Sequence, residues 1–312
     1  MVAMTAWPAD TGATIHLVVG VDDGPDAAHA LEWTARVLAP AATIHAVNAV
    51  SPAVELAVAA VQYDSAALVA RRRRHLVNEW TTTAREAGAT LVCDVIEDTP
   101  ARALMRVADH TAAAMIVVGS KGTVHRVPRM LGGTVRDLLA HSARPVVVVP
   151  DGAELAPSGA VVVDVGHAEH VGDALRWAAG FAGARGLSLN LARAGPRRRL
   201  FSLDGLVERI AYSIDPGVVR AWALEDLAEL AEEIRQSTDE ELEISWSVHG
   251  DERRPRIVQD GSDTVILVLD ARTDDRSGVD SWIHDRIKHA PCPTAVFGTP
   301  LDRVVGLPPL PG

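Results

Sequence analysis

Cysteine is scarce in this chain. Two occur in 312 residues, Cys93 and Cys292, without CxxC spacing, which excludes a disulfide framework and a cysteine-rich metal site. Both are expected as small core residues. Long apolar runs are missing as well. Although 48% of the residues are hydrophobic, runs such as Val146 to Val149 and Val265 to Leu269 stop at Pro or Asp, far short of the ~20 residues of a membrane span. Met1 to Gly12 lack the basic and apolar stretches of a secretory leader, so a cytoplasmic protein is expected. Positive charge is in deficit: a net charge of −11 opposes attraction to nucleic acid or anionic lipid. The run Arg71 to Arg74 reads as the solvated face of a helix. Catalytic signatures are absent too, for His-Glu-x-x-His, Gly-x-Ser-x-Gly and Gly-x4-Gly-Lys-Ser/Thr do not occur. Zinc proteolysis, serine hydrolysis and Walker-type chemistry therefore lack their residues. The Ser-Gly-Gly-x-Asp-Ser and His-Ile-Gly-His loops of adenylating enzymes are missing in the same way.

What is present is an internal repeat. Leu17 to Asp22 followed by Ala30-Leu-Glu-Trp33 recurs as Val161 to Asp164 followed by Ala174-Leu-Arg-Trp177, and Pro145 to Val149 recurs near Pro293 to Phe297. The spacing predicts two domains of about 150 residues, at 1–150 and 160–300, with a linker at 151–159 and a tail at 301–312. Trp33 and Trp177 are expected on the core faces of matched helices. In the first unit, short β-branched runs alternate with helical patterns, which predicts an α/β fold with a parallel sheet. Strands are expected at Thr14 to Val21, Thr43 to Val50, Thr90 to Ile96, Met115 to Val118 and Pro145 to Val149. Helices are expected from Pro25 to Leu38, Ala66 to Ala87, Pro100 to Thr111 with Thr99 as N-cap, and Gly133 to His141. The second unit adds an acidic helix, Ala221 to Arg235, and a strand at Thr264 to Leu269. Asp164, His167 and His170 share a three-residue spacing, but histidines in such a loop are ordinarily solvated, and no metal site is expected.

The segment Val117-Val-Gly119-Ser-Lys-Gly122, nine residues, then Gly132-Gly133-Thr134 carries the chemistry. A strand that ends in glycines and leads to a helix N-terminus suits phosphate, because backbone N–H groups can approach the oxygens and the helix dipole favours negative charge. Lys121, Arg126 and Arg129 add cations to the same loop in an otherwise acidic chain.

These residues resemble the universal stress protein family, whose ATP-binding members carry Gly-x-x-Gly, nine residues, then Gly-Ser or Gly-Thr. Val19-Gly-Val-Asp-Asp-Gly24, Ile44-His-Ala-Val47 and Pro145-Val-Val-Val-Val149 add to the resemblance, which covers the first 150 residues well and the rest loosely. It implies a Rossmann-like fold with two open five-stranded parallel sheets of order 3-2-1-4-5, flanked by helices. It also implies ATP, with Mg2+, in the first domain. Asp22 would accept from the adenine amino group, the Ala46 backbone would touch the base, and Gly20 and Gly119 would flank the ribose. Backbone amides at Gly122, Gly132, Gly133 and Thr134 would hold the phosphates, with Ser120 in the same loop and Lys121 and Arg129 as charge partners. Departures from the pattern are Gly133 where a hydroxyl residue is usual, and Asp23-Gly24 where Gly-Ser is usual.

In the second unit the matching loop reads Leu269-Asp-Ala-Arg-Thr-Asp-Asp275, and Ser281-Trp282 stands in place of Gly-Thr. Each close acid–phosphate pair costs roughly 1 kcal/mol or more, so this unit is expected to be degenerate and free of nucleotide, with Asp164 kept for structure. The expected function is an ATP-binding regulatory protein in the stress response, not an enzyme beyond slow hydrolysis; the alternative is a nucleotide-free interaction scaffold that meets an unidentified protein partner. Pairing of the two fifth strands within one chain is expected, in a monomer or a homodimer.

Overall fold

The computed structural model describes residues 7, 14–38, 42–51, 64–121, 131–150, 152–166, 172–194, 216–238, 241–249, 257–258, 261–270 and 281–298. In the first half the valine-rich runs form strands β1 (Ile15–Gly20), β2 (Ala42–Val50), β3 (Thr90–Glu97), β4 (Met115–Gly119) and β5 (Val146–Val149). Between them lie helices α1 (Pro25–Leu38), α2 (Ser65–His75), α3 (Thr82–Glu86), α4 (Pro100–His110) and α5 (Gly133–His141). The second half supplies β6 (Ala160–Asp164), α6 (Asp173–Arg185), β7 (Ser188–Ala194), α7 (Pro216–Ser237), β8 (Ile244–His249), β9 (Thr264–Asp270), α8 (Ser281–His289) and β10 (Thr294–Phe297).

Both halves run in the order 3-2-1-4-5, as expected, and their two five-stranded sheets meet along the fifth strands. They form one ten-stranded sheet, β3-β2-β1-β4-β5-β10-β9-β6-β7-β8. Neighbouring strands are parallel everywhere except at the centre, where β5 and β10 pair antiparallel with Val147 opposite Ala295. The physical reason is the unpaired backbone of a terminal strand, which gains hydrogen bonds from any strand laid beside it.

Alternation along each strand sends side chains to two cores. Leu17 and Val19 join Leu31, Trp33 and Met115 on one side of the sheet, and Val18 joins Leu104, Ile116, Val118 and Leu138 on the other. Trp33 and Trp177 are both fully buried, as the repeat predicts. Trp177 is stacked on Phe181 and meets Phe297 edge-on. Trp7 reaches this second-half cluster, edge-on to Phe181 of α6 at 4.9 Å.

Two local expectations are modified. The helix anticipated over Ala66 to Ala87 is broken by a π turn at Leu76–Trp80, where the buried Thr81 hydroxyl donates to the Leu76 carbonyl at 2.8 Å. Arg71, Arg73 and Arg74 are exposed there, and the Arg72 guanidinium lies over the Trp80 ring. Thr99 has an extended backbone before Pro100, but its side chain does not cap α4. Its own N–H donates to the Asp98 carboxylate. In the segment that joins the halves, Ala153 and Ala156 are buried and the Glu154 N–H donates to the Pro291 carbonyl. Gly159 adopts φ +131°, and a side chain there would collide with the Asp263 carbonyl. Cys292 is buried and Cys93 half-buried. No described helix is long and apolar enough to cross a membrane.

Candidate functional site

The strand order reverses between β1 and β4, which lie side by side with Val19 opposite Val117. Open α/β sheets bind ligands at the carboxyl ends of strands flanking such a point. β1 ends at Gly20 and leads to Asp22, whose Oδ1 accepts from the Gly24 N–H at 2.9 Å. This turn delivers the chain to Pro25 and α1. β4 ends at Gly119, where the first turn of α1 comes so close that a side chain would lie 2.6 Å from the Asp26 Cβ. Only glycine leaves that space.

Asp26 is one residue that sequence reading missed. It is buried, and its carboxylate accepts from the Ser120 hydroxyl at 2.8 Å and from the Lys121 N–H at 3.0 Å. Acid in the first turn of a helix reads as a match to the helix dipole. Nothing in the local pattern signals a contact with a loop so distant in sequence.

The other end of the loop returns to the same place. The Ser120 N–H donates to the Val149 carbonyl, and the Gly132 N–H donates to the Ser120 carbonyl, both at 3.0 Å. α5 then begins at Gly133 with no side-chain cap at Gly132, which sets its N-terminus beside the β4 exit. Gly132 is buried, while Lys121, Gly133 and Thr134 are half-buried. Gly122, Arg126 and Arg129 lie outside the described residues. Ala46 sits within β2, opposite Val19, with its side chain fully buried. Two residues further along β2, Asn48 is buried and its Nδ2 donates to the Val21 carbonyl at 2.7 Å. On the opposite face His45 Nε2 meets His16 Nδ1 at 3.1 Å. Burial, and then His16, hold the His45 imidazole below its usual range against an opposing pull from Asp94.

The matching corner of the second half is built differently. Asp164 ends β6 and accepts from the Gly166 N–H at 3.2 Å, as Asp22 does from Gly24. Here, however, Arg286 of α8 places its guanidinium 3.3 Å from the Asp164 carboxylate, with side chains only 13% and 7% exposed. His249, at the end of β8, is held below its usual range by burial, pulled up by Asp164 and pushed down by Arg286 and Arg220. His167, His170 and residues 271–280 lie outside the described residues, as do the side chains of Ser281 and Trp282. No cluster of His, Cys, Asp or Glu suited to a metal occurs among the described residues.

Comparison with known proteins agrees with this architecture. The model of the universal stress protein family matches residues 15–150. No curated protein matches the chain. Among solved structures, a universal stress protein from Archaeoglobus fulgidus is 13% identical, with a TM-score of 0.58 over 91% of this chain and 98% of its own. A functionally unknown protein from Pseudomonas aeruginosa PAO1 is 18% identical, with a TM-score of 0.55 over 95% of this chain and 96% of its own. At such identities the likeness is one of fold, and it extends across both halves. Residues 15–150 are a domain of the universal stress protein family.

Proposed function

We propose that the crevice between β1 and β4 binds an adenine nucleotide, ATP with Mg2+, and that the protein is a cytoplasmic regulator that reads nucleotide and hydrolyses it slowly or not at all. The observation that carries this reading is the N-terminus of α5, which has no side-chain cap at Gly132 and is joined to the β4 exit by the bond from the Gly132 N–H to the Ser120 carbonyl. It brings the start of α5 next to the residue that precedes Lys121, and helix N–H groups with a nearby cation are the donor set that phosphate oxygens need. When bound, the nucleotide supplies a densely negative triphosphate at one end and a flat, neutral aromatic base at the other. The N–H groups of Gly133 and Thr134 would take the phosphates, with Gly122, Lys121 and Arg129 from the loop. Gly20, Asp22, Ala46 and Gly119 would hold the nucleoside end. Ser120 contributes by position, since its hydroxyl is held by Asp26. That carboxylate, already accepting two hydrogen bonds, is poorly placed to take a proton from water.

The division into a nucleotide-binding unit at 1–150 and a degenerate one at 160–300 belongs to the same proposal. It is supported by the Arg286–Asp164 pair, which fills the second corner with the protein's own charges.

Calorimetric titration of the full chain with ATP and Mg2+ tests the reading, alongside Gly133→Glu. A side chain at Gly133 meets nothing within 4 Å, and acid in a first helical turn is tolerated. The variant therefore folds while its carboxylate opposes phosphate. Saturable binding weakened at least about tenfold in the variant is expected; no binding to the unmodified chain supports the scaffold reading in its place.

A further inference from the structure

The ten-stranded sheet has two outer strands, β3 and β8, and among the described residues no strand lies beyond either. Outer strands of native sheets are commonly guarded by Lys, Pro or a bulge. Neither Thr90–Glu97 nor Ile244–His249 contains Lys or Pro, and both pair with their inner neighbours without a register shift. The helices packed on them carry opposite charge. On β3 lies α2, with Arg71 to Arg74 and no acid. On β8 lies α7, where the exposed Glu225, Asp226, Glu229, Glu232 and Glu233 outnumber Arg220 and Arg235. Asp226 meets Arg193, and Glu232 meets Arg235. Arg71, Arg73 and Arg74 at one edge, and Glu225, Glu229 and Glu233 at the other, are exposed and make no ion pair among the described residues.

The topology makes these two edges fit each other. Each half is parallel within itself and the halves meet antiparallel, so β3 and β8 run in opposite directions. Leu76, which follows α2, and Leu227 of α7 share one core, so both helices lie on the same side of the sheet. A second copy set in line to continue the sheet lays its β3 antiparallel to β8, as at the central seam, and its α2 beside α7. Trp246 of β8, 36% exposed, is on that side with Ile244 and Val248. Leu91, Cys93 and Val95 of the copy's β3, half-buried against the same core, would come beside it. Joining β3 to β3, or β8 to β8, about a two-fold axis would instead set like charges side by side. We propose that the edge formed by β3 and α2 docks on the edge formed by β8 and α7 of a second copy of this chain. Such a head-to-tail contact leaves one edge of each kind unused in a pair, so assembly continues past two copies.

Sedimentation equilibrium of the full chain, at concentrations up to about 1 mM, tests the contact. Salt of about 0.1 M damps repulsion beyond about 10 Å, whereas about 1 M screens charges only about 3 Å apart. At the lower salt the weight-average mass is expected to climb with concentration past that of a dimer. At the higher salt association should be at least about tenfold weaker. Two charge-swapped chains then test the pairing itself. One carries Arg71→Glu, Arg73→Glu and Arg74→Glu, the other Glu225→Lys, Glu229→Lys and Glu233→Lys. All six positions are exposed, and unchanged melting temperatures verify that both chains fold. Alone, each presents two edges of one sign and should stay single. Mixed in equal amounts, every edge finds its opposite and the mass should rise again, a recovery that a merely structural role for these residues would not produce. A single-chain mass for the unmodified protein at every concentration overturns the inference. Assembly by either swapped chain alone, or a mixture that stays single, overturns it too, and each of these results leaves the nucleotide reading standing.

Discussion

Asp26 and Ser120, 94 positions apart in the chain, meet through a buried 2.8 Å hydrogen bond that fastens the start of α1 to the loop leaving β4. Asp26→Ala would strand the Ser120 hydroxyl and the Lys121 N–H. An unsatisfied buried group costs about 1–3 kcal/mol, so a fall in unfolding free energy of about 2–3 kcal/mol is expected in urea titration. Asp26→Asn keeps one acceptor oxygen and should lose less. Nucleotide affinity should fall in the same order.

The two glycines that frame the loop should respond oppositely to a methyl group. Gly119→Ala forces a carbon to 2.6 Å from Asp26 Cβ and 2.7 Å from its backbone carbon. Overpacking of this kind costs about 1–3 kcal/mol, seen as a lowered melting temperature. Gly133→Ala meets open space and should leave the melting temperature unchanged or slightly raised, since alanine favours the helix.

Removing Arg286 should expose how the second corner is held. Arg286→Met leaves Asp164 charged and buried, and breaking such a pair costs about 3–5 kcal/mol. Adding Asp164→Asn should recover part of that loss. Both effects are read by chemical denaturation of the full chain. Titration of either variant with ATP should match the unmodified chain, because the nucleotide is assigned to the other half.

Stability should weaken in mild acid. His45, His249 and His284 are each held below the ordinary value of 6.5, with burial the largest cause. The unfolded chain therefore binds more protons than the folded one once the pH falls below 6.5, and stability drops. Above that value these groups are neutral in both states and the dependence levels off. Burial is also the leading effect at Cys292, where it pushes the thiol up to about 12. His45→Gln should flatten the acid limb of a denaturation series taken at several pH values. An unchanged slope would assign the effect to other groups.

Parts of this structure were legible in the sequence and parts were not, and the boundary has a physical cause. α5 occupies Gly133–His141 as the pattern predicts, because glycine entry and apolar spacing are local signals. The parallel order followed from the family resemblance and from β-branched runs alternating with helices. The π turn was hidden because Thr81 breaks the helix only through a bond set by burial. Asp26, Asn48 and Arg286 were hidden for a related reason. A carboxylate, an amide and a guanidinium each read as surface groups until folding brings Ser120, Val21 and Asp164 against them. The candidate loop was found by its glycines, while the side chains that brace it come from elsewhere.

The antiparallel seam between β5 and β10 also bears on how the assembly behaves when it is scarce. Two separate molecules joined edge to edge would part on dilution, following mass action. Here both partners are on one chain, so the seam closes at a rate and to an extent independent of concentration. Every molecule then carries one corner of each kind in a fixed one-to-one ratio.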